Sequence, residues 1–398
     1  MKRRSFIAPH VAALPKSGIR RFFDIVAQRS GVVSLGVGEP DFDTPWHISR
    51  AAVLALEEGR THYTSNLGTP ALRKSIADYV ERRFDARYDW RREILVTVGV
   101  AEAIDLALRA TLEPGDEVLY HEPCFVSYAP TIRLAHGVPV PVETHPEDGF
   151  RLTAASLERR LTPRTKAILL NFPCNPTGAT LSPVDVRAIA RFAIRHDLLL
   201  LADEVYGELV YGPGARPTSF ASIPALRDRL VLLNGFSKSW AMTGFRLGYA
   251  CGPADIIDAM MKIHQYGIMS APTLSQAAGV EAMAHGDADV ARMRAEYRRR
   301  RDFLVPALNA MGLATVMPKG AFYAFPDIRS TGLSSEDFCL RLLETRNVAC
   351  VPGTAFGACG EGFVRMSYAT SYEKIELAMK RIADFVRGLR RARGGRKA

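Results

Sequence analysis

Between Ile94 and Cys251 the sequence repeats one unit: a short, mostly apolar run ends at a glycine or a polar residue, and a segment with helical periodicity follows. The runs are Ile94 to Val98, Glu117 to Tyr120, Ala167 to Leu170, Leu198 to Ala202, Leu230 to Leu233 and Leu247 to Cys251. Runs that are apolar at successive positions read as strands buried on both faces, and strands alternating with helices read as a parallel sheet crossed over by those helices. The expected fold is therefore α/β, with a mostly parallel central sheet covered by helices. Ligands of such sheets bind in the crevice outside the carboxyl ends of the strands. The residues that terminate the runs are thus the candidates for chemistry.

Those residues form a set. Gly99 precedes a helix expected to open near Ala101 and run through Leu108, so backbone amides around Val100 and Ala101 face outward as an anion site. The Glu117 run leads into a loop bearing Phe125 and Tyr128, and the Ala167 run into NFPCNPTG, where two prolines and a glycine fix Asn175. Asp203 follows the Leu198 run, with Tyr206 three residues on; Ser237 and Lys238 follow the Leu230 run, with Arg246 eight residues after the lysine. Taken singly, a loop lysine is usually solvated, an Asp at a strand end usually caps a turn, and a phenylalanine is usually core. Delivered together to one sheet edge, they match the needs of pyridoxal 5′-phosphate. That cofactor takes a lysine for its aldehyde, an acid against its ring nitrogen, donors to its phenolic oxygen and an anion site for its phosphate. Lys238, Asp203, Asn175 with Tyr206, and Arg246 with the helix amides supply these in turn, and Phe125 can stack on the ring.

Composition narrows the alternatives. At 398 residues and 47% hydrophobic content the chain can bury a large core in two or three domains. The formal charge of +10 resembles a nucleic-acid signal, but Lys2, Arg3 and Arg4 supply three positive charges and the tail from Arg387 supplies six, leaving the body nearly neutral. Neither nucleic acid nor membrane is expected as a partner. The six cysteines show no paired short spacing, which fits reduced thiols in the cytoplasm and no metal site. Arg3, Arg4 and Phe6 faintly resemble a twin-arginine export signal, but Pro9 and His10 interrupt its apolar region.

Ahead of the repeat, Ser17 is expected to cap an amphipathic helix over 17–28 bearing Ile19, Phe22, Phe23 and Val26. A strand from Val32 to Leu35 leads into GVGEPDFDTP, whose glycines, Gly38 among them, allow close backbone approach. Helical patterning follows from Trp46 to Glu58 and again after Thr69, with Tyr63 in the polar loop between. The basic run from Arg292 to Arg301, with Glu296 its one acid, is expected on the exposed face of a helix.

NPTG at Asn175 to Gly178, DEVY at Asp203 to Tyr206 and SK…GFRLG at Ser237 to Gly248 resemble the signature of class I/II aminotransferases, pyridoxal phosphate enzymes of fold type I. GEPDFDTP, KGAFY at Lys319 to Tyr323, VPGTAFG at Val351 to Gly357 and FVRMSYA at Phe363 to Ala369 extend the resemblance from about Ser17 to about Arg387. It is strongest to the broad-specificity aspartate and aromatic subgroup. The resemblance implies that Lys238 binds the cofactor covalently and later serves as the base, that Asp203 holds the ring nitrogen, and that Arg365 grips the substrate α-carboxylate with Gly38 and Asn175 beside it. It implies a homodimer with shared active sites, Tyr63 reaching the neighbouring subunit's cofactor phosphate. The expected organisation is a large domain over 45–285 and a small domain from 1–44 and 286–398, and the charge of 388–398 reads as a disordered basic tail.

The expected reaction moves an amino group between an L-amino acid, aromatic or of broad range, and a 2-oxo acid such as 2-oxoglutarate. Lyase, oxidase or decarboxylase chemistry on the same scaffold is the alternative, as is an aspartate preference. Four residues depart from the pattern of similar enzymes: Val100 and Ala101 stand where many relatives place a hydroxyl residue in the phosphate loop, Gly235 where some have a phosphate-binding serine, and Phe245 where a tryptophan is usual in the subgroup.

Overall fold

The computed structural model describes residues 6–14, 29–212 and 214–394. The expected helix over 17–28, with Ile19, Phe22 and Phe23, lies outside the described residues, as do Lys2, Arg3 and Arg4.

β1 (Val33–Ser34) is a short strand near the amino end, and β2 (Ile94–Thr97) opens the main sheet. β3 (Glu117–Glu122), β4 (Val138–Glu143), β5 (Thr165–Asn171), β6 (Leu199–Asp203), β7 (Leu230–Gly235) and β8 (Gly248–Cys251) complete it in the order β2-β8-β7-β6-β5-β3-β4. Pairing is parallel from β7 through β6, β5 and β3 to β4, and β8 alone runs antiparallel to both of its neighbours. Successive side chains enter opposite cores, as strand geometry requires. Ala167, Leu169, Leu201, Val231 and Leu233 join one cluster, while Ile168, Leu170, Leu200, Leu230 and Leu232 join the other. Burial on both faces explains why these strands lack polar alternation.

β4 was not expected. Its sequence, VPVPVE, carries Pro139 and Pro141, which lack the amide protons a central strand needs. It lies at the edge of the sheet, pairing with β3 alone, so one row of its amides needs no partner.

β9 (Tyr323–Ala324), β11 (Val351–Pro352) and β12 (Val364–Ser367) form a three-stranded antiparallel sheet, and β10 (Val348–Ala349) pairs in parallel with β1. This pairing ties the amino end to the carboxyl-terminal region.

Two expectations are corrected. The basic run lies on the helix Asp287–Ala310, but Arg300 and Arg301 are buried. Arg300 pairs with Asp41 and Glu296, and Arg301 bonds Asp302 and the Pro318 carbonyl while lying over the Tyr211 ring. Planar guanidinium groups with such partners tolerate burial. The tail is not disordered from 388 either, because the last helix, Tyr372–Gly394, continues through Leu389. Leu389 packs against the core and Arg390 Nη2 donates to the Met311 carbonyl at 2.7 Å, so the helix gains partners beyond Arg387.

Candidate active site

A cavity of about 630 Å³ opens at the carboxyl ends of β5, β6 and β7. Register places Asn171 opposite Asp203 and Asp203 opposite Leu233, so the ends of three strands converge there. Asp203 is buried. Tyr128 Oη donates to its Oδ2 at 2.7 Å and the Val205 amide to its Oδ1 at 3.1 Å. Burial raises its pKa to about 6, against the pull of those two bonds and the Lys238 charge. Asn171 Nδ2 holds the Asp203 carbonyl at 3.0 Å, and the Asn171 amide donates to His121 Nε2 at 3.2 Å, which leaves Nδ1 to face the Pro123 carbonyl.

Lys238 sits just past β7, its Nζ donating to the Gly38 carbonyl at 2.8 Å. Burial lowers its pKa to about 8; Glu39 and Asp203 oppose the shift, and Arg365 and Arg246 add to it. A lysine in this state holds a substantial fraction of free amine near neutral pH, the form that attacks an aldehyde.

Arg365, on β12, is fully enclosed. Nη1 donates to Asn175 Oδ1 at 2.9 Å and Nη2 to the Gly36 carbonyl at 2.6 Å, while Nε has no partner among the described residues. Its plane lies over the rings of Tyr323 and Phe356. The buried cation is therefore satisfied only by neutral acceptors. Such a group is costly unless an anion completes it. A Cβ at Gly38 would come 3.0 Å from Tyr323 Oη and 3.6 Å from Arg365 Nη2, so a glycine is what lets the backbone approach.

Tyr206 is buried, its hydroxyl 2.9 Å from that of Tyr323. Phe125 lines the cavity and meets Tyr128 edge to face. At the far end, Val100 and Ala101 open the helix Val100–Thr111, and Ser237 and Arg246 line the same space. Gly99 has φ 77°, and a Cβ there would fall 2.6 Å from Arg246 Nη2. First-turn amides lack intrahelical acceptors, so these amides and Arg246 together make an anion cradle.

The expected residues are thus brought together, with Tyr63 the exception: it is 82% exposed and absent from the cavity wall of its own chain. Sequence reasoning missed the parts played by Tyr128, Asn171 and Tyr323. Tyr128 stood in the loop after β3 and Tyr323 in KGAFY, but only the folded chain shows which hydroxyl meets which partner. The donor set fits pyridoxal phosphate: a free amine, a facing carboxylate, an anion cradle at one end and an incomplete guanidinium at the other.

Comparison with known proteins agrees with this geometry. Residues 30–382 match the family model described as aminotransferase class I and II. The chain is 47% identical over 373 residues to an aspartate aminotransferase of Pyrococcus abyssi, covering 93% of this chain and 96% of the relative. It is 45% identical over 368 residues to aromatic-amino-acid aminotransferase 2 of Thermococcus litoralis, covering 92% and 94%. The solved aromatic aminotransferase of Pyrococcus horikoshii matches with a TM-score of 0.88 and 45% identity, over 93% of this chain and all of that one. With the cavity, the strand order and the motifs in agreement, the chain belongs to the class I and II aminotransferase family, of fold type I.

Proposed function

We propose that this transaminase works through Lys238, Asp203 and Arg365, with Lys238 carrying the cofactor, Asp203 facing its ring nitrogen and Arg365 taking the substrate α-carboxylate. Enzymes of this family use pyridoxal phosphate. When bound, that group draws electrons from the substrate α-carbon and so lets an amino group pass between an amino acid and a 2-oxo acid. The chain's own part is to bind, orient and move protons. Arg365 offers three N–H groups beyond the two already engaged, enough for bidentate capture of a carboxylate. Lys238 Nζ, with its pKa lowered to about 8, can both take and return a proton near neutral pH. Asn175 and Tyr206 would hold the phenolic oxygen, and Phe125, on the cavity wall, would pack against the ring. Arg246, Ser237 and the amides of Val100 and Ala101 hold the phosphate. The observation that carries this reading is the enclosed Arg365 guanidinium, which has no carboxylate partner among the described residues and faces the cavity that holds Lys238.

The proposed donors are of broad range with a preference for aromatic side chains, and the acceptor is a 2-oxo acid such as 2-oxoglutarate. Val37, Ile104, Phe125 and Val205 give the cavity apolar walls, and its described cations are Lys238, Arg246 and Arg365. Arg109 pairs with Asp105 instead of entering it. Arg20 and Arg21 lie outside the described residues. A dicarboxylate then keeps its second charge hydrated at the open mouth, which avoids the cost of burying it unpaired. The relative named an aspartate aminotransferase supports a second reading, a preference for aspartate. Following the cofactor spectrum with each amino acid in turn tests both. Phenylalanine or tyrosine should react with the higher kcat/KM, and an advantage for aspartate of more than about tenfold, or 1.4 kcal/mol, overturns the preference.

The proposed assembly is a homodimer that shares its active sites, supported by the exposed Trp46, Tyr63 and Tyr266. A large domain over 45–285 fits the confinement of the main sheet to residues 94–251, and a small domain from both ends fits the β1–β10 pairing. A cytoplasmic location fits six free cysteines. Among the described residues no helix is long and apolar enough to cross a membrane, and no cluster of residues could hold a metal ion.

A further inference from the structure

The helix that begins the anion cradle carries an acid where an acid should do harm. Glu102 lies in the first turn of Val100–Thr111, whose N-cap, Gly99, has no side chain to occupy the first amides. A carboxylate at the third helical position ordinarily reaches back to the N-cap amide, and its charge repels a second anion that seeks the amides beside it. Here both of its oxygens are engaged elsewhere. Oε2 accepts from the Val98 amide at 2.5 Å, and Oε1 is 2.7 Å from Nδ1 of His264.

His264 lies on the helix Ala254–Gly267 with no exposed side-chain surface, and its Nε2 has no partner among the described residues. Glu102 is thus the one hydrogen-bond partner of this imidazole there. The peptide next to the cradle is pinned from a second side, because Thr97 Oγ1 donates to the Gly99 carbonyl at 3.0 Å.

We infer that Glu102 and His264 form a positioning pair that keeps the phosphate cradle open: His264 draws the carboxylate away from the amides of Val100 and Ala101, and the same carboxylate fixes the Val98 end of the loop. The pair acts on the phosphate end of the cofactor and not on the reacting end, where Lys238 and Asp203 lie. This inference rests on the reading of the cavity as a pyridoxal phosphate site.

The test is binding to the cofactor-free full-length protein, read by the cofactor's absorbance. His264→Leu frees the carboxylate to compete, so the dissociation constant for pyridoxal phosphate should rise about tenfold, the scale of one charge-assisted contact. Pyridoxal, which lacks the phosphate, should bind the parent and His264→Leu within about twofold of each other. Adding Glu102→Gln to His264→Leu removes the competing charge and should recover most of the affinity. Glu102→Asp, too short to reach both Val98 and His264, gives the same comparison if His264→Leu does not fold, with pyridoxal phosphate weakened and pyridoxal spared. Equal weakening of both ligands, unchanged binding of pyridoxal phosphate, or no recovery in the double variant each overturns the pair's role. Failure of the parent protein to bind pyridoxal phosphate at all defeats the cavity reading instead.

Discussion

The Tyr128 hydroxyl donates to Oδ2 of Asp203 at 2.7 Å, and both groups are buried. Burial holds the Asp203 pKa up at about 6, and this bond is among the contacts that keep it from rising further. Tyr128→Phe should therefore raise that pKa, because a hydrogen bond to the charged form has been removed. A bond to a charged group contributes about 1.5–3 kcal/mol, so the acid limb of the kcat profile should move up by about 1–2 pH units. Turnover at neutral pH should fall about two- to tenfold, against the 10²- to 10⁴-fold loss expected for Asp203→Asn. An unshifted acid limb in Tyr128→Phe would show that Asp203 does not depend on this contact.

Lys238 sets a second pH dependence, with the same origin in burial and the opposite direction. Burial lowers its pKa to about 8, so the reactive free amine becomes the major form above that pH. At pH 7 about one molecule in ten carries it, compared with roughly one in 3,000 for a lysine titrating at 10.5. The rate at which cofactor-free protein captures pyridoxal phosphate should rise with pH and level off above about 8. Lys238→Ala should keep its fold and lose turnover. A capture rate that still climbs steeply at pH 10 contradicts the depressed pKa.

Gly235 stands where the resemblance implies a serine in some similar enzymes, and the fold accounts for the glycine. A Cβ there would sit 2.8 Å from Val100 Cγ2 and 3.0 Å from the Leu247 carbonyl, so the valine fills the space a serine side chain would need. Gly235→Ser should lower both thermal stability and affinity for the cofactor. Val100→Gly in the same chain should recover part of each, because it removes the nearest clash and leaves the backbone one. Overpacking of this kind costs about 1–3 kcal/mol. Tighter cofactor binding in the single Gly235→Ser variant would show that the serine is accommodated.

The strands and the residues at their ends were legible because burial on both faces writes itself as short apolar runs. The single reversed strand, β8, and the edge strand β4 were not, since nothing in an apolar run records its direction and two prolines argue against a strand. The site followed the same division. Lys238, Asp203 and Arg365 stand in motifs whose residue types match one chemistry. The hydroxyls of Tyr128 and Tyr323 meet partners 75 and 117 positions away in the chain, contacts no local pattern encodes. Arg300 read as one charge in a solvated run because its partner, Asp41, lies 259 residues earlier.

Arg365 should resist its most conservative replacement. It engages Asn175 and Gly36 while its ring contacts fix the guanidinium plane. Lysine keeps the charge but offers neither the fork nor the stacking surface. In Arg365→Lys, kcat/KM should fall about 10²-fold, on the scale of lost bidentate and buried contacts, with binding of pyridoxal phosphate unaffected. Substrate kinetics alongside a cofactor titration separate the two, and equal loss in both would assign Arg365 to the cofactor.

Tyr63 poses the question of assembly. Its side chain is 82% exposed and lines no part of the cavity in its own chain, yet it stands in a loop tied to the helix end near Tyr266, where Asn66 Nδ2 bonds the Met269 carbonyl at 2.7 Å. A large aromatic held outward on an anchored loop, beside exposed Tyr266 and Ile268, suits a surface covered by a second copy. If Tyr63 completes the partner's site, the two defects of Lys238→Ala and Tyr63→Phe are complementary. In a mixed dimer both defects fall in one site, and the other site receives an intact Lys238 from one chain and an intact Tyr63 from the other. Random pairing of equal amounts makes about half of the dimers mixed, so about a quarter of all sites should regain parental character. Refolding the two variants together should therefore give more activity than the sum of the two refolded alone, and the tighter parental cofactor affinity should return in the same fraction. Activity equal to that sum, or a fully active monomer in sedimentation, would place Tyr63 outside the partner's site.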